Sequence, residues 1–177
     1  MKKLVVYSSA GGNTKKLAEE LFKQLGDDTE ISPVNGAPDP AGFDIVCVGF
    51  WLKGGQPDPG AQDYLKKCSG KVFLFATHGA APDSSHAKMA LNKAEELTAG
   101  ATVIGRFSCQ GEVSDKVMET AAAKDPQPPW LADAPAAKGH PNATDFMNLS
   151  ETLIAVGLKT EAPDPHKGPV VDGSHAM

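Results

Sequence analysis

The stretch VVYSSAGGNTKKLAEEL, Val5 to Leu21, decides the fold. Leu4, Val5, Val6 and Tyr7 form an unbroken apolar run, as in a strand buried on both faces. Leu17, Ala18, Leu21, Phe22 and Leu25 then recur at helical spacing, Glu19, Glu20 and Lys23 sit between them, and Gly26 is a natural stop. Between strand and helix lies Ser8-Ser9-Ala10-Gly11-Gly12-Asn13-Thr14, rich in hydroxyls and turned by adjacent glycines. A strand-to-helix turn leaves backbone N–H groups unpaired at the positive end of the helix dipole. Hydroxyls added there make a cradle for a phosphate, and glycines let the backbone close on the anion without a Cβ in the way.

Two common phosphate loops are excluded. A Walker loop requires Gly-Lys-Ser/Thr after four free positions, whereas Asn13-Thr14-Lys15 follows the glycines here. A dinucleotide fingerprint requires G-x-G-x-x-G and an acid after the second strand; these glycines are adjacent and the second strand ends in Val34-Asn35. The remaining possibility is a hydroxyl-rich loop without an internal lysine, suited to a terminal phosphate monoester.

The run resembles the FMN-phosphate signature of the flavodoxin family. Val5, Val6, Tyr7, Ser9, Gly12, Thr14, Ala18 and Leu21 fill its fixed positions without an exception. The resemblance implies FMN as cofactor, with Ser8, Ser9, Ala10, Gly11, Gly12, Asn13 and Thr14 around its phosphate. It covers about Lys2 to Gly111 well and Asn142 to Leu158 weakly.

A chain of 177 residues with 41% hydrophobic and 22% charged residues has the length of one domain and an ordinary globular composition. A formal charge of −5 argues against nucleic acid as a partner and favours partners with basic docking surfaces. That charge is smaller than the strong acidity of electron-shuttling flavodoxins. The apolar part after Met1-Lys2-Lys3 is too short for a signal peptide, and no run reaches membrane length, so no membrane insertion is expected. Cys47, Cys68 and Cys109 have no C-x-x-C spacing and are odd in number, which fits a reducing cytoplasm better than a disulfide frame.

Along the chain, strands are expected at residues 29–34, 43–51, 71–77 and 101–109. Helices are expected at 61–68, from Ser84 or Ser85 to Ala99, at 113–123 and at 142–156, the last with Phe146, Leu149, Leu153 and Ile154 inward. The turn residues after Val34 leave little room for a full crossover helix. Alternating short buried strands and helices imply a parallel sheet with right-handed crossovers. By resemblance this is an α/β, three-layer, doubly wound, five-stranded parallel sheet of order 2-1-3-4-5, with ligand at the carboxyl ends of the strands. The expected domain runs over residues 1–158, with an irregular proline-rich excursion at about 112–141 and a Pro/Gly-rich surface tail at 159–177. The excursion could cover the flavin, dock a partner or pair two subunits, and the sequence carries no signal for oligomeric state.

The resemblance places the isoalloxazine over the loops after the third and fourth strands. The first offers Trp51, Leu52, Lys53, Gly54 and Gly55. Trp51 is expected to stack on the flavin, an aromatic pair being worth about 0.5–1.5 kcal/mol beyond burial, with a core tryptophan as the alternative. Gly54-Gly55 either serve a turn or supply the peptide that flavodoxins flip to accept a hydrogen bond from flavin N5–H. Lys53 is either a surface charge or a cation beside the ring. The second loop offers Thr77, His78, Gly79 and Ala80 and lacks the tyrosine that many flavodoxins place there. Thr77 and Gly79 could serve the pyrimidine edge. His78 is the candidate catalytic residue, donating to that edge or relaying a proton near neutral pH, with a solvated histidine as the alternative.

Cys109 reads as a small apolar strand-end residue, and His86, His140, His166 and His175 have no metal-ligand spacing, so no metal site is expected. Ser108 has no evident base, which leaves acyl transfer unsupported. Two functions fit. One is an electron carrier between a reductase and a redox partner protein. The other is an NAD(P)H-dependent flavin or quinone reductase with its substrate on the uncovered ring face.

Overall fold

A computed structural model describes residues 1–161. The tail expected from residue 159 therefore lies, from residue 162 on, outside the described residues. In chain order the strands are β1 (Lys3–Tyr7), β2 (Thr29–Pro33), β3 (Ile45–Lys53), β4 (Gln56–Pro57), β5 (Lys71–His78) and β6 (Thr102–Gln110). The helices are α1 (Asn13–Leu25), α2 (Pro59–Leu65), α3 (Ser85–Leu97), α4 (Asp115–Ala122) and α5 (Ala143–Ala155).

The parallel sheet has the order β2-β1-β3-β5-β6. This is the expected 2-1-3-4-5 arrangement once β4 is set aside, a two-residue strand antiparallel to the end of β3. Period-two alternation explains the three layers. Leu4 and Val6, Val46, Val48 and Phe50, and Val72 and Leu74 face α2 and α3, where they meet Tyr64, Leu65, Leu91 and Ala94. The intervening Val5, Ile45, Cys47, Phe73 and Phe75 face α1 and α5, against Leu17, Leu21, Leu149 and Leu153. Strands apolar at every position are thus what a sheet covered on both sides requires. At its centre Gly49 gives way to a ring: a Cβ there would lie 2.1 Å from Phe75 Cε2.

The turn-rich stretch after β2 crosses to β3 with only a 3-10 turn at Pro40–Gly42, as its composition anticipates. On α5, Leu149 and Leu153 are buried while Phe146 and Ile154 are half-buried. Caps at Ser114 and Asn142 start α4 and α5 slightly inside their expected ranges, Ser84 starts α3 as expected, and Asp58 starts α2 two residues earlier, at Pro59.

The excursion after β6 is not a free loop. Glu112 N donates to His140 O at 2.8 Å and Lys16 Nζ to Pro141 O at 2.6 Å, closing its base. Asp145 ties the same end together, bonded to His140 Nδ1 at 2.6 Å and accepting from Asn142 N at 2.8 Å. Among the described residues no helix is long and apolar enough to cross a membrane.

Candidate functional site

Because β1, β3 and β5 are neighbours and parallel, their carboxyl ends bring three loops to one edge of the sheet. A cleft of about 1380 Å3 opens there. Its first wall is the turn into α1. Gly12, at φ +95°, flanks the helix in a left-handed conformation that an L side chain rarely adopts. Among the described helices, α2 to α5 each receive a side-chain cap, and α1 receives none. Its first N–H groups thus have no side-chain cap at the positive end of a 13-residue helix whose first two residues, Asn13 and Thr14, line the cleft. A Cβ at Gly11 or Gly12 would meet nothing within 4 Å, so open space lies beside the turn. The donors of this turn fit a phosphate monoester such as that of FMN.

The hydroxyls divide their work. Ser9 Oγ accepts from Gly12 N at 3.1 Å, which leaves its own O–H free to donate. Thr14 and Thr77 share a buried hydrogen bond, Oγ1 to Oγ1 at 2.8 Å. One of the two consequently keeps a proton to donate onward, and both residues line the cleft. Ala10, Gly11 and Asn13 also line it, Asn13 with its amide donating to Glu112 O at 2.9 Å. That contact needs Gly111, where a Cβ would come within 2.7 Å of Asn13 Nδ2. Ser8 and Gly12 do not line the cleft: the Ser8 hydroxyl donates to Asp58 Oδ2 and Gly12 N to Ser9 Oγ.

Asp58, only 3% exposed, is the residue that sequence reasoning missed. Its carboxylate accepts from Ser8 Oγ, from Trp51 N at 3.3 Å and from Ala61 N at 3.3 Å, so it braces the phosphate turn against the end of β3 while capping α2. Asp58-Pro59 is a helix-start signal, with Pro at the first helical position, and could have found it.

Trp51, Leu52, Lys53, Gly54 and Gly55 all line the cleft, Trp51 and Leu52 half-buried and Lys53 exposed. Gly54 and Gly55, at φ +61° and +76°, are the two central residues of a tight hairpin pairing Lys53 with Gln56. Two successive positive φ values are the signature of the hairpin turn that needs glycine. Thr77, His78 and Gly79 line the cleft, while Ala80 is fully buried and contributes its carbonyl to His78.

His78 also departs from expectation. It is 8% exposed, and its Nδ1 lies 2.8 Å from Ala80 O. A carbonyl only accepts, so Nδ1 carries the proton and Nε2 is left as a buried lone pair with no partner among the described residues. Burial pushes its pKa down to about 4, with the Ala80 hydrogen bond opposing and nearby His86 assisting. Burial thus favours the neutral ring, with Nδ1 as its donor. Thr77 shares its hydroxyl hydrogen bond with Thr14.

The loop after β5 carries no aromatic ring of its own, but one from the excursion packs against it. Trp130, in the excursion, lines the same cleft and packs on Gly79, whose Cβ would lie 3.2 Å from Trp130 Cε3. Asp133 Oδ2 accepts from Ala81 N at 3.1 Å, and Gln110 Nε2 donates to both Gly79 O at 3.1 Å and Asp133 O at 3.2 Å. These bonds clamp the excursion onto the loop as a strap. No local pattern in the sequence announces that contact.

The thiols are inert by environment. Cys47, Cys68 and Cys109 are free and buried, and burial raises all three, Cys47 up to about 12 and Cys68 up to about 11. Among the described residues no cluster of His, Cys, Asp or Glu could hold a metal.

Comparison with known proteins agrees with the geometry. A flavodoxin domain model matches residues 4–153. A flavodoxin-like domain-containing protein BilS of Clostridioides difficile (strain CD3) is 32% identical over 65% of this chain and 69% of its own length. Its namesake from Clostridium symbiosum (strain WAL-14163) is 29% identical over 88% of this chain and 95% of its own. Among solved structures, a flavodoxin of Streptococcus pneumonia TIGR4 shares the fold at a TM-score of 0.55 and 14% identity, over 88% of this chain and 99% of that one. A flavoprotein in complex with FMN from Lactobacillus acidophilus NCFM superposes at a TM-score of 0.51 and 21% identity, over 60% of this chain and 92% of that one. With the signature, the sheet order and the uncapped α1 turn in agreement, the chain belongs to the flavodoxin domain family.

Proposed function

We propose that the chain binds FMN non-covalently at the α1 turn and serves as an electron-transfer protein, taking electrons from a reductase and passing them to a redox partner protein. The observation that carries the reading is the α1 N-terminus, uncapped, turned by Gly12 and opening on the cleft between Trp51 and the β5 loop. FMN supplies the redox chemistry. Ser9, Thr14 and the turn amides hold its phosphate, and Trp51 with the Gly54-Gly55 hairpin borders its ring. Burial disfavours a positive charge on His78 beside that ring. Three buried free thiols accord with work in a reducing cytoplasm.

A second reading is a flavin or quinone reductase that uses NAD(P)H directly. It draws support from the size of the cleft, about 1380 Å3 against the 300–1000 Å3 typical of a small-molecule pocket. Anaerobic mixing of FMN-loaded protein with NADH or NADPH separates the two: a carrier stays yellow, and prompt bleaching of the flavin refutes pure carriage. Purified protein that takes up no FMN refutes both.

A further inference from the structure

The loop after β5 takes its shape from parts of the chain far away in sequence. His78 O accepts from Gly111 N at 2.9 Å, and Gly79 O accepts from Gln110 Nε2 at 3.1 Å. Ala80 O accepts from His78 Nδ1 at 2.8 Å, and Ala81 O accepts from Ser84 N at 3.0 Å. Four successive carbonyls are therefore engaged inside the protein, and Ala81 N donates to Asp133 Oδ2 at 3.1 Å. Three of these five bonds are made by Gln110, Gly111 and Asp133, at the end of β6 and in the excursion. Gln110 is 9% exposed, and its amide ties the loop to the excursion, because Nε2 also donates to Asp133 O at 3.2 Å. Behind Gly79 the excursion packs so closely that a Cβ would lie 2.9 Å from Val113 Cγ2 and 3.2 Å from Trp130 Cε3. Gly79-Ala80-Ala81 has no polar side chain with which to fix its own conformation.

We propose that Gln110 and Asp133 are positioning residues for the cofactor ring, holding the Gly79–Ala81 loop from behind in the shape that meets FMN. Neither residue lines the cleft, whereas Gly79 does, so both act through the loop. The two holds are different in kind. Gln110 fixes the direction of the Gly79 carbonyl with an N–H donor, and Asp133 fixes the Ala81 amide with an acceptor oxygen. Loss of either leaves a backbone polar group without its partner beside the cleft, and the loop is then free to turn that group toward the ring.

The inference rests on FMN occupying the cleft as proposed above, and the test keeps the two apart. FMN affinity of the full chain is measured by fluorescence titration, the surroundings of the bound ring by visible circular dichroism, and stability of the FMN-free protein in urea. Gln110→Glu replaces two N–H donors with acceptor oxygens at nearly unchanged size, and Asp133→Ala removes the acceptor for Ala81 N. Each should weaken FMN about tenfold, equivalent to about 1.4 kcal/mol, and alter the flavin dichroism. Asp133→Asn keeps an acceptor oxygen without the charge and should restore both the dichroism and the affinity, the latter to within about twofold of the parent. Asp133 is half-buried in the excursion, so Asp133→Ala keeps its fold and carries the test even if Gln110→Glu does not fold. A lower urea midpoint with unchanged FMN affinity in Asp133→Ala would make the contact merely structural and overturns the inference. Weaker FMN with an unchanged dichroism places the loss away from the ring and overturns it too, as does an Asp133→Asn protein as impaired as Asp133→Ala. In all three cases the flavoprotein reading stands. Parent protein that takes up no FMN overturns both.

Discussion

Asp58→Ala should be among the most damaging single substitutions outside the apolar core. The carboxylate is 3% exposed and accepts three hydrogen bonds, from Ser8 Oγ, Trp51 N and Ala61 N. Loss of the α2 cap alone costs about 1 kcal/mol. Two further donors, the Ser8 hydroxyl and the Trp51 amide, are left without their partner, each costing about 1 kcal/mol at the lower end of the usual range, which is the end to use because the amide bonds are long at 3.3 Å. The sum is about 3 kcal/mol, or about 6–12 °C in Tm for a chain of this size. Asp58→Asn keeps one carbonyl oxygen, which at the Oδ2 position still accepts from Ser8 Oγ and Ala61 N and leaves only Trp51 N without its acceptor, so it should cost only about 1 kcal/mol. Urea unfolding of the FMN-free protein measures both without any contribution from cofactor binding. An Asp58→Ala protein within about 1 kcal/mol of the parent would show that the brace is idle. Equal losses for Asn and Ala would show that the negative charge, not the acceptor geometry, is what stabilises.

Stability should also fall with acid through His78. Its folded-state pKa is lowered to about 4 from an ordinary value of 6.5, so the unfolded chain binds the proton first. The contribution is present above pH 6.5, is lost as pH falls from 6.5 to 4, and levels off below that; its full size is about 3 kcal/mol. His78→Gln should remove that part of the pH profile in urea titrations, and an unchanged profile refutes the assignment. Gly49→Ala drives a Cβ to within 2.1 Å of Phe75 Cε2 at the sheet centre and should cost about 3 kcal/mol by the same assay. Thr14→Val with Ser9→Ala removes two cradle hydroxyls; at about 1.5 kcal/mol for each bond to a charged acceptor, FMN should bind about 100-fold more weakly by fluorescence titration. Undiminished affinity would place the phosphate elsewhere.

What the sequence made legible was local. Periodicity over Val5 to Leu21 gave β1, α1 and the turn, because strand, glycine turn and amphipathic helix are each set by near neighbours. Gly54-Gly55 was equally readable as punctuation, although the two-residue strand it creates with Gln56–Pro57 is too short to announce itself. Asp58 was legible in principle, since an acid before Pro59 marks a helix start, but its second task of holding Ser8 spans 50 positions in the chain. Trp130 was not legible at all. Its placement depends on Asp133 reaching Ala81 and on Gln110 reaching Gly79, contacts that exist only after β5 and β6 have paired.

The histidine and the serine show why residue type alone assigns roles poorly at a ligand edge. Ser8 and Thr77 both carry hydroxyls in the right loops, yet tertiary structure gives each an internal partner: Asp58 for one and Thr14 for the other. If Thr77 donates to Thr14, then Thr14 must send its own proton outward, and the cleft gains an oriented donor from a pair that looked redundant. His78 follows the same rule with the opposite outcome. Its Nδ1 proton is fixed on Ala80 O, and burial removes the positive form that donation from Nε2 would need. The residues of the α1 turn that line the cleft, Ser9, Ala10, Gly11, Asn13 and Thr14, offer it backbone amides and hydroxyls and no charged side chain. Such donors are fixed by the fold before any ligand arrives, and their geometry does not change with pH across the neutral range.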